Sequence, residues 1–297
     1  MSRLKIRHET LYTYSAPMSF GPWRLLMRPI DSHAIRVVDA SLELSPYGDT
    51  RWSYDAYGNC VCFFQPGSDA NELRVVSNLV IERFPAPLAE PAIDNPHSRL
   101  PIIYQPADRA VLEPFIIPAT AEAPSGAHME WLRGLLGPAD EPALDVLQRV
   151  NANIHETFAY GARDEIGVQA PSDTIQRRGG TCRDFAWLMI ESLRSLGFAA
   201  RFVTGYLYSS GLAASPVRGA GATHAWCEVF LPDLGWIEFD PTNGLVESPD
   251  LIRVGVTRTP AEASPMTGNA VGVGTCSLSV AVDVDLVDAF QPAPVAA

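Results

Sequence analysis

The sequence predicts an α+β protein, with an N-terminal antiparallel β region followed by helices and a second antiparallel sheet. Three observations carry this reading. Runs with a period of two fill the first 84 residues, helical periodicity begins only near residue 142, and a strand–turn–strand pattern follows the last helix.

The β region is read first. "LKIRHETLYTYS" alternates Leu4, Ile6 and His8 against Lys5, Arg7 and Glu9. "RVVDASLELSP" and "ELRVVSNLVIERF" are further strands, and "RWSYDAYGNCVCFFQ" holds two strand-like runs around a Tyr-Gly-Asn turn. Residues 85–142 carry eleven of the 25 prolines. Proline fixes φ and removes a donor, so this stretch is expected to be a wrapped connector without a long helix, apart from a short one around "HMEWLRGLL".

Helices come next. In "EPALDVLQRVNANIHETFAY", Leu144, Leu147, Ile154 and Phe158 recur at helical spacing, and Pro142 suits a first turn. In "GGTCRDFAWLMIESLRSLG", Phe185, Leu188, Met189 and Leu193 make one apolar face, and Gly197 stops it. "FAARFVTGYLYSS" reads as a strand. "SSGLAASPVRGAGA", 209–222, reads as a mobile lid, since its small side chains bury little area against the entropy of ordering them. "THAWCEVFLPDLGWIEFDPTNG" is a hairpin closed by Pro232 to Gly235, and "TCSLSVAVDVDLV" is a final alternating strand. The expected division is a β-rich domain at 1–84, the connector at 85–142 and a catalytic core at 143–290.

Composition narrows the function. With 22 basic against 34 acidic residues the net charge is −12, which argues against nucleic acid and against anionic membranes. "MSRLKIRHETLYTYS" has no apolar signal core, and no stretch reaches the length of a membrane span, so the expected location is cytoplasmic. The five cysteines are odd in number, irregularly spaced and lack a CxxC pair. They are expected to be reduced thiols, with no metal site and no cofactor.

One cysteine has an unusual address. Cys182 follows Gly179, Gly180 and Thr181 at the mouth of a helix. Free backbone N–H groups and the positive dipole end favour an anion there, and thiolates are activated in such places. A buried inert cysteine at a helix start is the plainer alternative. A catalytic thiol needs a base, and His224 opens a strand directly after the candidate lid. Asp240 ends the facing strand. If the turn is three residues long, Leu231 to Asp233, Phe230 pairs with Leu234 and Asp240 falls opposite His224. The carboxylate then fixes the tautomer of the imidazole and stabilises its cation. Alone, His224 reads as a surface histidine and Asp240 as a turn residue; together the three have the layout of a papain-like thiol triad.

Auxiliary residues follow from the same layout. Gln176, six residues before Cys182, is a candidate oxyanion donor, with a solvated glutamine as the alternative. Trp226 should share the strand face of His224, either shielding the imidazole or simply filling core. Arg183 and Asp184 are read as helix positions N1 and N2, with Asp184 serving the dipole. Thr242 and Asn243 are read as shaping the turn after Asp240. Cys227 is read as core.

The stretches "GGTCRDFAWLMIESLRSLGFAARFVTGY", "THAWCEVFLPDLGWIEFDPTNG" and "LKIRHETLYTYSAPMSFGPWRLLMRP" resemble the bacterial transglutaminase-like cysteine protease family. The resemblance covers nearly the whole chain and includes the β-rich region that precedes the family's core. It implies a papain-like/transglutaminase core, in which a cysteine-bearing helix packs on an antiparallel sheet carrying histidine and aspartate. It places the family triad on Cys182, His224 and Asp240. Family members include cross-linking transglutaminases, peptidases, amidases and proteins without catalysis. Because all three triad residues are present, the expected function is thiol-dependent hydrolysis of a peptide or isopeptide-type amide through an acyl-enzyme. The expected partner is a peptide or protein substrate. Glutamine–lysine acyl transfer and a non-catalytic peptide-binding module are the alternatives.

Overall fold

The alternation of the opening segment becomes β1 (Ser2–Phe20), in which Leu4, Ile6, His8 and Thr10 are buried and Lys5 is exposed. This is a computed structural model, and it describes residues 2–84, 98–119, 126–161, 163, 165, 167–208, 218 and 221–289. β2 (Trp23–Leu25), β3 (Ile35–Ser45), β4 (Gly48–Tyr54), β5 (Cys60–Pro66) and β6 (Ala70–Arg83) complete the N-terminal strands. The connector contributes α1 (Pro106–Ile116) and α2 (Gly126–Arg133). Then come α3 (Ala143–Thr157), β7 (Ala159–Tyr160), α4 (Pro171–Arg177), β8 (Gly179–Gly180) and α5 (Cys182–Ser195). β9 (Ala200–Leu207), β10 (His224–Leu231), β11 (Gly235–Asp240), β12 (Leu245–Val246) and β13 (Leu251–Thr257) follow. After a 3-10 turn at Pro260–Ala263, the described chain closes with β14 (Met266–Thr267), β15 (Ala270–Val271) and β16 (Cys276–Ala289).

The second sheet has the order β12-β11-β10-β9-β13, all antiparallel. One of its faces receives α5. Phe185, Leu188, Met189 and Leu193 pack with Ala225, Cys227 and Val229 of β10, Phe202 of β9, and Val146, Leu147, Val150 and Ile154 of α3. In α5 this is the apolar face expected from the helical spacing; in α3 Leu147 and Ile154 are buried as expected, Val146 is buried as well, and Leu144 is only half-buried. Each such side chain, fully buried, contributes roughly 1.5–3 kcal/mol. The other face of the sheet docks on the N-terminal β region: Tyr206, Ile252 and Val254 share a core with Leu4, Ile6, Leu79 and Ile81. The sheet that carries the site residues is therefore held between a helix and another sheet, which fixes its strands on both sides.

Three features depart from the sequence reading. The proline-rich stretch does form an 11-residue helix, α1. Pro106 sits in its first turn, where no intrahelical donor is lost. Pro114 lies near its end, and Leu112 and Ile116 gain burial against Tyr104 and Ala199. β13, not anticipated, pairs along β9. The strands after residue 265 lie outside the second sheet: β14 pairs with β2, β15 with the end of β1, and β16 with β1 from Tyr14↔Cys276 to Ser2↔Ala289. Strand pairing thus runs across the linear division expected at 84 and 142. The candidate lid, 209–222, lies outside the described residues except for Arg218, Gly221 and Ala222. No helix among the described residues is long and apolar enough to cross a membrane.

Candidate active site

Thr181, not Cys182, caps α5. The Thr181 side chain accepts from the N3 backbone while the Asp184 carboxylate accepts from the Thr181 backbone. Cys182 is therefore N1, Arg183 N2 and Asp184 N3, one position later for Arg183 and Asp184 than the sequence suggested. The Cys182 side chain is nearly enclosed, at 7% exposure. Its backbone N–H belongs to the first turn and has no intrahelical acceptor, so it is available to an incoming oxyanion.

Asp184 does more than complement the dipole. It is fully buried and accepts from Thr181 N (2.9 Å), Thr181 Oγ1 (2.9 Å), Gln169 N (2.7 Å), Gln169 Nε2 (3.1 Å) and Arg163 Nε and Nη2 (3.1 and 3.0 Å). Burial alone would raise its pKa, but the bonds from Thr181, Gln169 and Arg163 outweigh it and hold the carboxyl below its ordinary value. The segment before Cys182 is thereby tied to the helix mouth. Sequence reasoning missed Arg163 and Gln169, because both sit in irregular chain and reach Asp184 across 15 to 21 residues.

The hairpin brings the other two residues together in a register different from the expected one. Leu231 pairs with Gly235 and Phe230 with Trp236, not with Leu234. Leu234 N donates to Leu231 O, and Gly235 adopts φ +78°, which lets the chain turn one residue later. With Cys227 opposite Phe239, Asp240 lies level with Trp226, two residues from His224 along β10. Parity is preserved, so the diagonal pair still shares a face. His224 Nε2 and Asp240 Oδ2 are 2.8 Å apart, both side chains being completely buried. Asp240 is held in turn: Oδ1 accepts from Thr242 N (2.9 Å) and Oδ2 from Asn243 Nδ2 (2.8 Å). Thr242 and Asn243 therefore orient the carboxylate as well as shaping the turn.

Burial would lower the pKa of His224. The charge and hydrogen bond of Asp240, and then the Cys182 thiol, override it and push the imidazole up to about 10. Conversely, burial pushes Asp240 up, but His224, Asn243 and Thr242 bring it below its ordinary value. With Nε2 taken by Asp240, Nδ1 is the nitrogen left over, and it has no hydrogen-bond partner among the described residues.

Trp226 is both core and neighbour of the site. Its ring stacks on His224 at 5.9 Å and 27°, and it packs with Val203, Leu207 and Val256. The indole fits because residue 205, opposite His224 on β9, is glycine; a Cβ there would lie 2.7 Å from the Trp226 ring and 2.1 Å from Ile252 O. Trp226 Nε1 donates to Glu238 Oε1 at 3.2 Å. Burial first, then the nearby Glu228 and Glu247 charges, push Glu238 up to about 8. Glu228 itself is paired with Arg201 and Arg253.

Gln176 is exposed on α4 and lines a cleft with Trp131, Ser172 and Arg178, with no hydrogen bond to Cys182, His224 or Asp240 among the described residues. Tyr160, which the sequence did not single out, feels Cys182 and Asp240 electrostatically. β7 runs parallel to β8 with Tyr160 level with Gly180, and the Tyr160 ring meets Phe185 at 6.4 Å. Cys227, as expected, faces α5 in the core. The arrangement offers a thiol, a base held by a carboxylate, and a free backbone donor, which together suit attack on a carbonyl carbon.

Comparison with known proteins agrees with this fold. Residues 130–241 match the transglutaminase-like superfamily core, and residues 4–82 match the bacterial transglutaminase-like N-terminal region. An uncharacterised protein of Mycobacterium leprae is 27% identical over 291 residues, covering 96% of this chain and 99% of its own. A protein-glutamine gamma-glutamyltransferase of Pseudomonas aeruginosa is 32% identical over 132 residues, 42% of this chain and 19% of that protein. The solved structure of a "putative cysteine protease" from Cytophaga hutchinsonii superposes with a TM-score of 0.69 at 19% identity, covering 98% of this chain and 93% of that one, and so shares its fold. The two family matches and the site geometry together support a cysteine-based enzyme.

Proposed function

We propose that this chain, which belongs to the transglutaminase-like superfamily, is a thiol-dependent hydrolase of peptide or isopeptide-type amide bonds acting through Cys182, His224 and Asp240. The observation that carries the reading is the buried 2.8 Å bond between His224 and Asp240, with Nδ1 left for the Cys182 thiol.

The steps follow from the positions of the groups. The Cys182 thiol gives its proton to His224 Nδ1, and the sulfur attacks the carbonyl carbon. The oxyanion that forms is met by the free N–H groups at the start of α5. As the C–N bond breaks, His224 Nδ1 returns the proton to the leaving amine, and a thioester remains on Cys182. Water then attacks, its proton going to His224, and the acid is released with the thiol restored. Asp240 holds the ring and its charge throughout and is not consumed. No step calls for a cofactor. The five cysteines, all unpaired, fit a reducing cytoplasmic setting, which is part of the proposal.

Acyl transfer to an amine is the second reading, favoured by the segment shared with the gamma-glutamyltransferase. It differs only in which nucleophile meets the thioester. The test is mass spectrometry of a peptide library incubated with the protein and a lysine-like amine, with Cys182→Ser as control. Cleaved peptides support hydrolysis and amine adducts support transfer. Unchanged peptides that nevertheless bind point to a non-catalytic module.

A further inference from the structure

Carboxylates outnumber basic residues in this chain by 34 to 22, and most of the buried or half-buried arginines are paired with them. Two arginines beside the site have no carboxylate partner among the described residues. Arg183 follows the nucleophile directly, is exposed, and has neither a hydrogen bond nor an ion pair among the described residues. Arg218 comes from the other side. Its backbone N–H donates to Asn243 Oδ1 (2.9 Å) and its carbonyl accepts from Asn243 Nδ2 (3.3 Å), the same amide that donates to Asp240. Its guanidinium meets only carbonyl oxygens: Nη1 donates to His155 O and Thr242 O at 3.3 and 3.4 Å. Nε and Nη2 are left without a partner, and no carboxylate lies within ion-pair distance among the described residues.

Tyr160 brings the two together. Burial, Cys182 and Asp240 raise the pKa of its phenol, while Arg183 and Arg218 lower it, so one side chain feels the triad and both cations. The half-buried phenol has no hydrogen-bond partner among the described residues. Two guanidinium groups without a carboxylate partner among the described residues are thus anchored at the residue after Cys182 and at the turn that braces Asp240.

We infer that Arg183 and Arg218 form an anion-recognising mouth, and that the substrate is an amide with a free carboxylate close to the scissile bond, as in a γ-glutamyl-type amide or an acidic peptide. The inference rests on Cys182 being the nucleophile. Guanidinium groups suit this task because they stay charged and present paired donors to a carboxylate. Their charge also draws an anionic substrate toward a chain that is otherwise negative and would repel it.

Two small alkylating agents test this without knowledge of the natural substrate. Iodoacetate carries a carboxylate and iodoacetamide does not, and both react at the same sulfur. Their rates at Cys182 are measured at low ionic strength by peptide mass spectrometry, with the exposed Cys276 as internal reference. The iodoacetate-to-iodoacetamide ratio at Cys182 is expected to exceed that at Cys276 by roughly 10-fold, and to shrink in about 0.5 M salt. In the double variant Arg183→Gln, Arg218→Gln it should fall at least about 5-fold, and in Arg183→Lys, Arg218→Lys it should largely persist. Because the ratio cancels changes in thiol reactivity, a disturbed Asn243–Asp240 contact does not mimic the effect. A ratio unchanged in the Gln variant overturns the anion mouth while leaving the nucleophile intact. If neither reagent modifies Cys182, the nucleophile assignment fails and the inference falls with it.

Discussion

Asp240 reaches His224 diagonally, across a hairpin whose register sets the carboxylate level with Trp226. The imidazole is therefore gripped twice on one sheet face, by the 2.8 Å bond at Nε2 and by the indole stacked 5.9 Å away. Each contact gives an experiment.

Cys182→Ser should abolish turnover and alkylation at residue 182 while shifting Tm by no more than about 2 °C, since the swap is nearly isosteric and the site is small. Thermal unfolding beside a turnover assay checks this. Full activity in the variant would remove Cys182 from the mechanism.

Asp240→Asn should lower turnover by roughly 10²–10⁴-fold, less than Cys182→Ala does, because the carboxylate orients and is not consumed. It should also move the alkaline limb of turnover. In the native protein the imidazolium persists to about 10. Without the Asp240 charge, burial dominates and the limb should fall toward or below the ordinary value near 6.5. The sign for stability is the same. A raised imidazole contributes stability that is complete below its unfolded pKa and is lost as pH climbs through the folded one. A pH–rate profile with its alkaline limb unchanged in the variant would contradict the pairing.

Glu238→Gln should stabilise the protein in alkali. The buried Glu238 carboxyl keeps its proton to about 8, so folding binds a proton that the unfolded chain has released above about 4.5. Its contribution to stability therefore declines as pH rises between those values. The amide keeps the acceptor for Trp226 Nε1 and removes the ionisation. Tm at pH 9 should rise by roughly a few degrees and at pH 5 should hardly move. Equal changes at both pH values would show that Glu238 does not titrate in the fold.

Asp184→Ala should cost roughly 3–5 kcal/mol in urea unfolding, because it leaves Arg163, Gln169 and Thr181 without their shared acceptor. The helix mouth should loosen as well, so turnover of the folded fraction should drop. A stability loss below about 1 kcal/mol would mean that the network is incidental.

The candidate site was legible in the sequence where its signals are local. A cysteine after Gly-Gly-Thr, an apolar helix face and a hairpin with matching parity pointed to Cys182, His224 and Asp240, and the last two meet in the structure. The register was not legible, because it depends on a positive φ at Gly235 that the residue type permits but does not require. Arg163, Gln169 and Arg218 were invisible for another reason: each works through contacts made by chain that has no periodicity to read. In the fold, the β and α segments were announced by their spacing. The helix at Pro106–Ile116 was hidden by the very prolines that it accommodates in its first and last turns. The partners of β14–β16 could not be inferred from alternation, which shows that a strand exists but not which strand it joins.

That last pairing has a consequence for synthesis. β16 lies along β1, yet it begins at Cys276, 256 residues after β1 ends at Phe20. At about 5–20 residues per second, a nascent chain would wait on the order of 10–50 s before this neighbour is made. Throughout that interval one long edge of β1 is bare outside the ribosome, beside a β6 that is already available. Such an edge is open to pairing with a neighbouring nascent chain. The sheet β12-β11-β10-β9-β13, complete by residue 257, can close first, and its docking face would then shelter Leu4 and Ile6 until the final strand arrives.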